Sequence, residues 1–389
     1  MKVLFLSSCV NGGGAGRSLL HLLKGLLPDI ESIVVVPEYG IIGKDLEQYA
    51  TLHVEPSFLE RIQKSHFSLA KSIQLPWLAN VFGGFSVGLA MIRISKLTKH
   101  IRPHVIYCNH MLAEPVGVFV GWITKTPVIL HARNLHLSGF GRWFYDFLAT
   151  RNIVKAVICN SKATSEQYLQ SCPEKTHIIY NSIDTTYYQR SSIEPLLRKE
   201  FSIPSEAMVV GYAGRLVEWK GIDDLIQAFA KVQPDTKNIY LTIVGGQDSG
   251  VLNPLEKNLK KLAFELGVGK RVIFCGFKSD VRPYVCDFDV SVVPSKMPEP
   301  FGRVIIESLC LDVPVIVSAH GGAYEVIGEG KFGDAFAAGN VQDLVNVLTR
   351  FLDDPKNSHE KTKLGKAHIE QELSTARIGY LVSEILHKL

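Results

Sequence analysis

DVSVVPSKMPEPFGRVIIESLCLDVPVIVSA (residues 289–319) opens and closes on short runs that are apolar throughout, with a helix-starting signal between them. Pro300 keeps Glu299 out of helical geometry, Gly302 relaxes the turn, and the chain from Arg303 to about Cys310 is predicted to be a helix. A strand that alternates apolar and polar residues has one wet face, whereas one that does not alternate is covered on both. Strand, helix, strand with unbroken apolar strands is therefore the repeating unit of a parallel sheet with helices on both faces.

The same rhythm runs outward to both ends. KVLFLSSCV, SIVVVP, HVIYCN, PVILH, KAVICNS and THIIYNS are the expected strands of the first half, and AMVVGYAG, IYLTIVGG, RVIFCGF, DVSVVP and VPVIVSA those of the second. Helical patterns such as GIDDLIQAFAKV separate them, so each half reads as a doubly wound α/β domain. A chain of 389 residues is also longer than one core usually grows. The rhythm lapses around residues 186–205, the expected linker, and the amphipathic ARIGYLVSEILHKL ends the sequence.

Apolar residues make up 46% and charged residues 21%, which excludes a disordered or fibrous chain. Up to residue 195 there are 19 Lys and Arg against 13 acids, and beyond it 23 against 25, so the first half is basic and the second slightly acidic. The seven cysteines form no C-x-x-C pair and have no metal-ligand spacing; they read as reduced core residues of a cytoplasmic protein. MKVLFLSSCV imitates a lipoprotein signal, but VLFL is too short for its apolar region and leads into a glycine loop, so it is read as a first buried strand.

Ser72 to Ile92 is uncharged over 21 residues, yet Gln74, Pro76, Asn80 and three glycines argue against a membrane span. Between Ser57 and His104 lie seven Lys and Arg against the single acid Glu60. That pattern fits a surface lying on anionic lipid, and equally an ordinary helix pair with a basic polar face.

Three segments carry chemistry. NGGGAG (residues 11–16) follows a strand and precedes a helix, where backbone N–H groups can approach an anion, but position 17 is Arg17 and the dinucleotide fingerprint G-x-G-x-x-G fails. In GYAGRLVEWKG (211–221), Arg215 and Lys220 lie just past a strand end, where ligands bind in open α/β sheets; a planar guanidinium and a mobile ammonium suit a diphosphate. EPFGRVIIE (299–307) brackets a helix start, whose free N–H groups suit phosphate oxygens, with two carboxylates. Eight residues of helix would separate the acids by about 12 Å, too far to act as a pair on one bond. They suit a long ligand with hydroxyls at both ends, such as a nucleoside diphosphate sugar. The triplet Asp287-Phe288-Asp289 leads straight into a strand and is read as structural rather than metal-binding.

EPFGRVIIE resembles the E-x7-E signature of retaining glycosyltransferases of family 4. The resemblance extends over GGGAG, PVILH, AVICNSKAT, IIYNSIDTTYY, GRLVEWKGIDDLIQAF, LTIVGG, VIFCGF and DVSVVPSKMPEPFGRVIIESLC, most of the chain outside residues 40–100. It implies the GT-B fold: two Rossmann-like, doubly wound parallel-sheet domains facing across a cleft. The implied division is an acceptor domain over 1–190, a donor domain over 191–372, and a helix over 373–389 that returns to the first domain. It further implies that Arg215 and Lys220 hold the donor diphosphate, aided by Gly14 and the backbone of Phe301, Gly302, Arg303 and Val304. Glu307 would take the ribose hydroxyls, Glu299 would face the transferred sugar, His131 would touch that sugar, and Phe277 and Lys278 would line the base pocket. HARN at 131–134 departs from the commoner family pattern, which bears on the acceptor side near Arg133 and Asn134.

The activity implied is metal-independent, cofactor-free retaining transfer of a hexose or N-acetylhexosamine, from a UDP-sugar or GDP-mannose, to a glycan or lipid-linked saccharide of cell-envelope polysaccharide or lipopolysaccharide. The expected location is the cytoplasm, extending to the inner face of the membrane through the basic first half; nucleic acid is not an expected partner. The rivals are a Rossmann oxidoreductase, against which the glycine spacing counts, a sugar-nucleotide epimerase or phosphorylase, and a nucleotide-sugar-binding protein without catalysis.

Overall fold

The computed structural model describes residues 1–8, 13–56, 76–135, 139–232, 238–246 and 254–389. Residues 57–75, where the basic, lipid-facing reading begins, and Cys9 with Asn11 and Gly12 of NGGGAG lie outside them. The chain divides into two units, Met1–Ser182 with Thr375–Leu389, and Ile183–Ser374.

Unit 1 is built on a sheet of β1 (Lys2–Leu6), β2 (Glu31–Val36), β3 (Thr51–Val54), β4 (Val105–Cys108), β5 (Val128–Ala132), β6 (Val154–Cys159) and β7 (Thr176–Ile178). All its pairings are parallel and the order is β3-β2-β1-β4-β5-β6-β7. Unit 2 holds β8 (Met208–Ala213), β9 (Ile239–Val244), β10 (Val272–Gly276), β11 (Val290–Val293), β12 (Val315–Ser318) and β13 (Asp334–Phe336), again all parallel, in the order β10-β9-β8-β11-β12-β13. Both repeat the 3-2-1-4-5-6 order of a doubly wound sheet, which reverses direction beside its first strand and opens a ligand crevice there. The switch points lie between β1 and β4 and between β8 and β11.

The central strands are buried along their length apart from Lys2 and Met208 at the starts of β1 and β8, as their apolar sequence requires. Helices cover them with one apolar stripe each. In Ile222–Val232, Ile222, Leu225, Ile226, Phe229 and Val232 face the core, while Asp223 and Asp224 in the first turn and Lys231 in the last complement the helix dipole. Each such side chain contributes about 2 kcal/mol on burial. The six cysteines among the described residues are free and buried.

The uncharged stretch enters a helix, Pro76–Ile101. Among the described residues no helix is long and apolar enough to cross a membrane. The helix Thr375–His387 completes unit 1 by lying on the helix Gly14–Gly25. The contact is glycine against glycine: a Cβ on Gly379 would stand 1.9 Å from the Gly25 carbonyl oxygen.

Candidate active site

In unit 2 the loops after β8 and β11 meet across the switch point. Gly221, with φ +66°, ends the 3-10 turn Glu218–Lys220 so close to the β11 loop that a Cβ there would fall 2.0 Å from the Pro294 carbonyl oxygen. Lys296 N–H donates to the Trp219 carbonyl at 2.8 Å, fixing the same approach. The Lys220 ammonium, lying over the Trp219 ring, thereby reaches Glu299 and forms a short ion pair with its Oε1. Ser295 Oγ donates to that same oxygen. Glu299 is 3% exposed, and Lys220 and Ser295 supply the partners that a buried carboxyl group needs.

Arg215 lies on the same loop, one residue past Gly214. Its side chain is exposed and its guanidinium has no partner among the described residues. The loop beneath it is fixed by Tyr212, whose hydroxyl donates to the Arg215 carbonyl at 2.7 Å; burial and the nearby Glu299 charge push that phenol well up. Gly245 brings the loop after β9 against Gly214, where a Cβ would stand 1.8 Å from a carbonyl oxygen.

EPFGRVIIE folds as its sequence predicts: Glu299 in the loop, Gly302 at φ +86° as N-cap, and a helix over Arg303–Cys310. No acid occupies the first turn of this helix, so its N-terminal N–H groups and dipole face no competing carboxylate from their own turn. Phe301 is buried, which leaves its backbone rather than its ring to a ligand. Arg303 and Glu307 pair at 3.2 Å along one helix face. The loop of Glu299 is clamped from outside by Gly321 and Gly322: Gly322 N–H donates to the Glu299 carbonyl at 2.8 Å, and a Cβ on Gly322 would lie 2.3 Å from the Pro300 carbonyl oxygen.

The residues expected to line a base pocket follow β10. Phe277 is exposed, whereas the Lys278 ammonium is held by Glu200 at 2.6 Å and lies over the Tyr284 ring. The D-x-D triplet serves the scaffold: Asp289 Oδ2 accepts from Val209 N–H at 2.7 Å and from Arg198 at 3.0 Å, and Asp287 from the Arg198 N–H at 3.1 Å. Among the described residues no group of three or more His, Cys, Asp or Glu is disposed to hold a metal ion.

Unit 1 contributes a second cluster around its own switch point. His131, at the end of β5, is buried, and its Nδ1 meets the Tyr107 hydroxyl at 2.5 Å and an Arg133 nitrogen at 3.1 Å. Arg133 only donates, so Nδ1 accepts and the ring proton resides on Nε2. That Nε2 is buried without a hydrogen-bond partner among the described residues. Burial and the Arg133 charge hold the imidazole well below its ordinary pKa, and therefore neutral. Arg133 also donates to the Asn109 carbonyl and side chain, each at 3.0 Å, and to Asn181. Asn109 in turn donates to the Ala15 carbonyl at 3.3 Å, next to Gly14, the first residue of the helix Gly14–Gly25. The network thus runs from His131 to the Ala15 carbonyl, one residue past Gly14. Asn134 and His110 sit at its edge, 3.4 Å apart, with His110 pushed down to about 4 by burial and by Arg133.

Sequence reasoning named His131 but missed the residues that set its proton. A usable signal was present: His131 and Arg133 are two apart where β5 runs out, so they leave the strand on the same side.

The model of "Glycosyltransferase Family 4" matches residues 12–187, and that of "Glycosyl transferases group 1" matches residues 194–368. The lipopolysaccharide core biosynthesis glycosyltransferase LpsE of Rhizobium meliloti is 29% identical, over 88% of this chain and 86% of that protein. The N-acetylgalactosamine-N,N'-diacetylbacillosaminyl-diphospho-undecaprenol 4-alpha-N-acetylgalactosaminyltransferase of Campylobacter jejuni is 26% identical, over 89% of each. Among solved structures, Anabaena HepE in complex with UDP and glucose superimposes with a TM-score of 0.81 at 26% identity, covering all of both chains. Two parallel-sheet Rossmann-like units matched in turn by these two models leave one assignment: the chain belongs to the family 4-type glycosyltransferases and has their GT-B fold.

Proposed function

We propose that this glycosyltransferase moves a hexose or N-acetylhexosamine, with retention, from a UDP-sugar to a glycan or lipid-linked saccharide of cell-envelope polysaccharide or lipopolysaccharide. The observation that carries the donor side is the cluster at the unit 2 switch point, where exposed Arg215 and the Lys220–Glu299 pair adjoin the acid-free start of the helix Arg303–Cys310. Relatives support the direction: HepE was solved with UDP-glucose, and LpsE acts in lipopolysaccharide core biosynthesis.

In this reading the diphosphate displaces Glu299 from Lys220, and Arg215 and the helix N–H groups take its remaining oxygens. Glu299 is released toward the sugar and Glu307 receives the ribose hydroxyls. The bond from the anomeric carbon to the β-phosphate oxygen breaks with its electron pair on that oxygen. The acceptor oxygen bonds to the anomeric carbon on the same face and gives its proton to the departing phosphate. Fixed cations stabilise this developing charge without reorganising, the task that a metal performs elsewhere, so Arg215 and Lys220 supply it here. In unit 1, neutral His131 keeps a proton on Nε2, a donor suited to a substrate hydroxyl oxygen.

The test is incubation with a panel of nucleoside diphosphate sugars and saccharide acceptors. Free UDP that appears only with acceptor, and an anomeric configuration kept by NMR, is the expected result. Release of UDP independent of acceptor, or inversion, would overturn it.

A further inference from the structure

The Glu299 side chain has two partners among the described residues, the Lys220 ammonium and the Ser295 hydroxyl, and both meet Oε1. A ligand affects the two differently. Lys220 is the cation that a diphosphate competes for, and once phosphate oxygens hold it, its bond to Glu299 is lost. Ser295 is 1% exposed, so a ligand in the crevice does not reach its hydroxyl. Oε1 can then stay on Ser295 while Oε2, which has no partner among the described residues, is left for a substrate hydroxyl.

Ser295 is itself held from the turn that follows β12. His320 Nε2 lies 3.0 Å from the Ser295 carbonyl oxygen; a carbonyl only accepts, so this nitrogen carries the proton and donates. The next two residues grip the other end of the same loop: Gly321 forms an isolated parallel bridge with Glu299, and Gly322 N–H donates to the Glu299 carbonyl at 2.8 Å. One turn therefore fixes both Ser295 and Glu299, the first and last residues of SKMPE (295–299). Lys296 adds a tie to the helix Ile222–Val232, meeting Asp223 at 2.6 Å and Asp224 at 3.1 Å. Burial alone does not explain the Ser295 bond. The hydroxyls of Ser291 and Ser308, also buried in unit 2, have no partner among the described residues, whereas Ser295 directs its proton to a carboxyl oxygen of the candidate site.

We propose that Ser295 is a positioning residue for Glu299, itself held by His320: it keeps the carboxyl group directed at the transferred sugar while the donor diphosphate occupies Lys220. Neither Ser295 nor His320 touches substrate in this role. The inference rests on the donor reading given above and deepens it, because it names what holds the sugar-facing acid once its cation has been taken. A group that must be placed to within about 0.5 Å depends on such support.

Calorimetry with UDP and with UDP-glucose, and initial rates with the donor that the panel selects, test it on the parent, Ser295→Ala, His320→Ala and His320→Gln. UDP affinity is expected to stay within about twofold in all four, since UDP lacks the sugar that Glu299 faces. In Ser295→Ala and His320→Ala, kcat is expected to fall about tenfold, and the affinity that glucose adds to UDP is expected to fall with it. His320→Gln, whose side-chain amide can take the place of the Nε2 donor, is expected to stay near the parent. In a Glu299→Gln background, Ser295→Ala is expected to cost no more than about twofold further, because the two changes remove one interaction. A purely structural role would instead lower UDP affinity and rate together and would multiply with Glu299→Gln. If Ser295→Ala melts early, the two His320 variants decide, since that side chain is only part-buried. Equal losses in His320→Ala and His320→Gln, an unchanged kcat in Ser295→Ala and His320→Ala, or a full additional loss on top of Glu299→Gln would overturn the inference and leave the transferase reading intact. A parent that binds neither UDP nor UDP-glucose would overturn the donor reading, and this inference with it.

Discussion

Lys220 and Glu299, 79 residues apart in sequence, close a part-buried ion pair across the switch point of unit 2. Neither can be removed alone without stranding the other. Lys220→Ala is expected to lower kcat by about 10²-fold or more through loss of charge stabilisation, and to cost about 3 kcal/mol of stability by leaving Glu299 unpaired. Combining it with Glu299→Gln is expected to restore the melting temperature but not the rate. Urea unfolding and initial-rate assays on both variants separate the two effects; recovery of rate together with stability would show that Lys220 serves only the fold.

His131 owes its neutral state to burial and to Arg133. Arg133→Gln removes the nearest positive charge, so the imidazole pKa is expected to rise and the acid limb of the kcat/KM profile to move to higher pH. Tyr107→Phe removes a donor to Nδ1 and leaves that charge in place; its profile is expected to keep its limb and fall in height. A pH series from 5 to 9 on the three proteins reads the difference.

Glu114 is buried with no hydrogen-bond partner for either carboxylate oxygen among the described residues, and burial lifts it from 4.5 to about 8. A raised folded-state pKa stabilises fully below the unfolded value, and the contribution is lost as pH rises through the folded one. Between these limits the folded chain keeps a proton that the unfolded chain has released, so stability falls by up to about 1.4 kcal/mol per pH unit. Glu114→Gln cannot ionise. Its melting temperature is expected to match the parent near pH 5 and to exceed it increasingly toward pH 8.5, as differential scanning calorimetry would show.

Gly322→Ala would set a methyl group 2.3 Å from the Pro300 carbonyl oxygen, and a backbone atom cannot swing aside as a side chain does. The loop from Glu299 to Gly302 must shift. A displacement of about 1 Å costs on the order of 10²-fold in rate, so kcat/KM is expected to fall by about that factor. The thermal shift produced by UDP is expected to shrink with it.

The fold was legible where strands are buried on both faces, because unbroken apolar runs such as VSVV and VVGYA admit few other readings. Of the four edge strands, β7 and β10 were legible in THIIYNS and RVIFCGF, and β3 and β13 were not. Thr51–Val54 (TLHV) and Asp334–Phe336 (DAF) are short and partly polar, since an edge strand needs less burial, and no periodicity marks them. Spacing along the chain set Arg215 and Lys220 just past a strand end and Arg303–Cys310 in a helix, as found. What escaped was every relation that folding alone creates: Glu299 taking the charge of Lys220, Arg133 fixing the tautomer of His131, and Lys278 committed to Glu200.

The glycine contact between Gly25 and Gly379 joins the start of the chain to a segment synthesised after all of unit 2. A ribosome that has released residues 1–182 has therefore produced a sheet with the groove on its Gly14–Gly25 helix still vacant, and it stays vacant until some two hundred further residues have emerged. Premature termination just before Thr375 would consequently injure the first-made module and spare the one translated last.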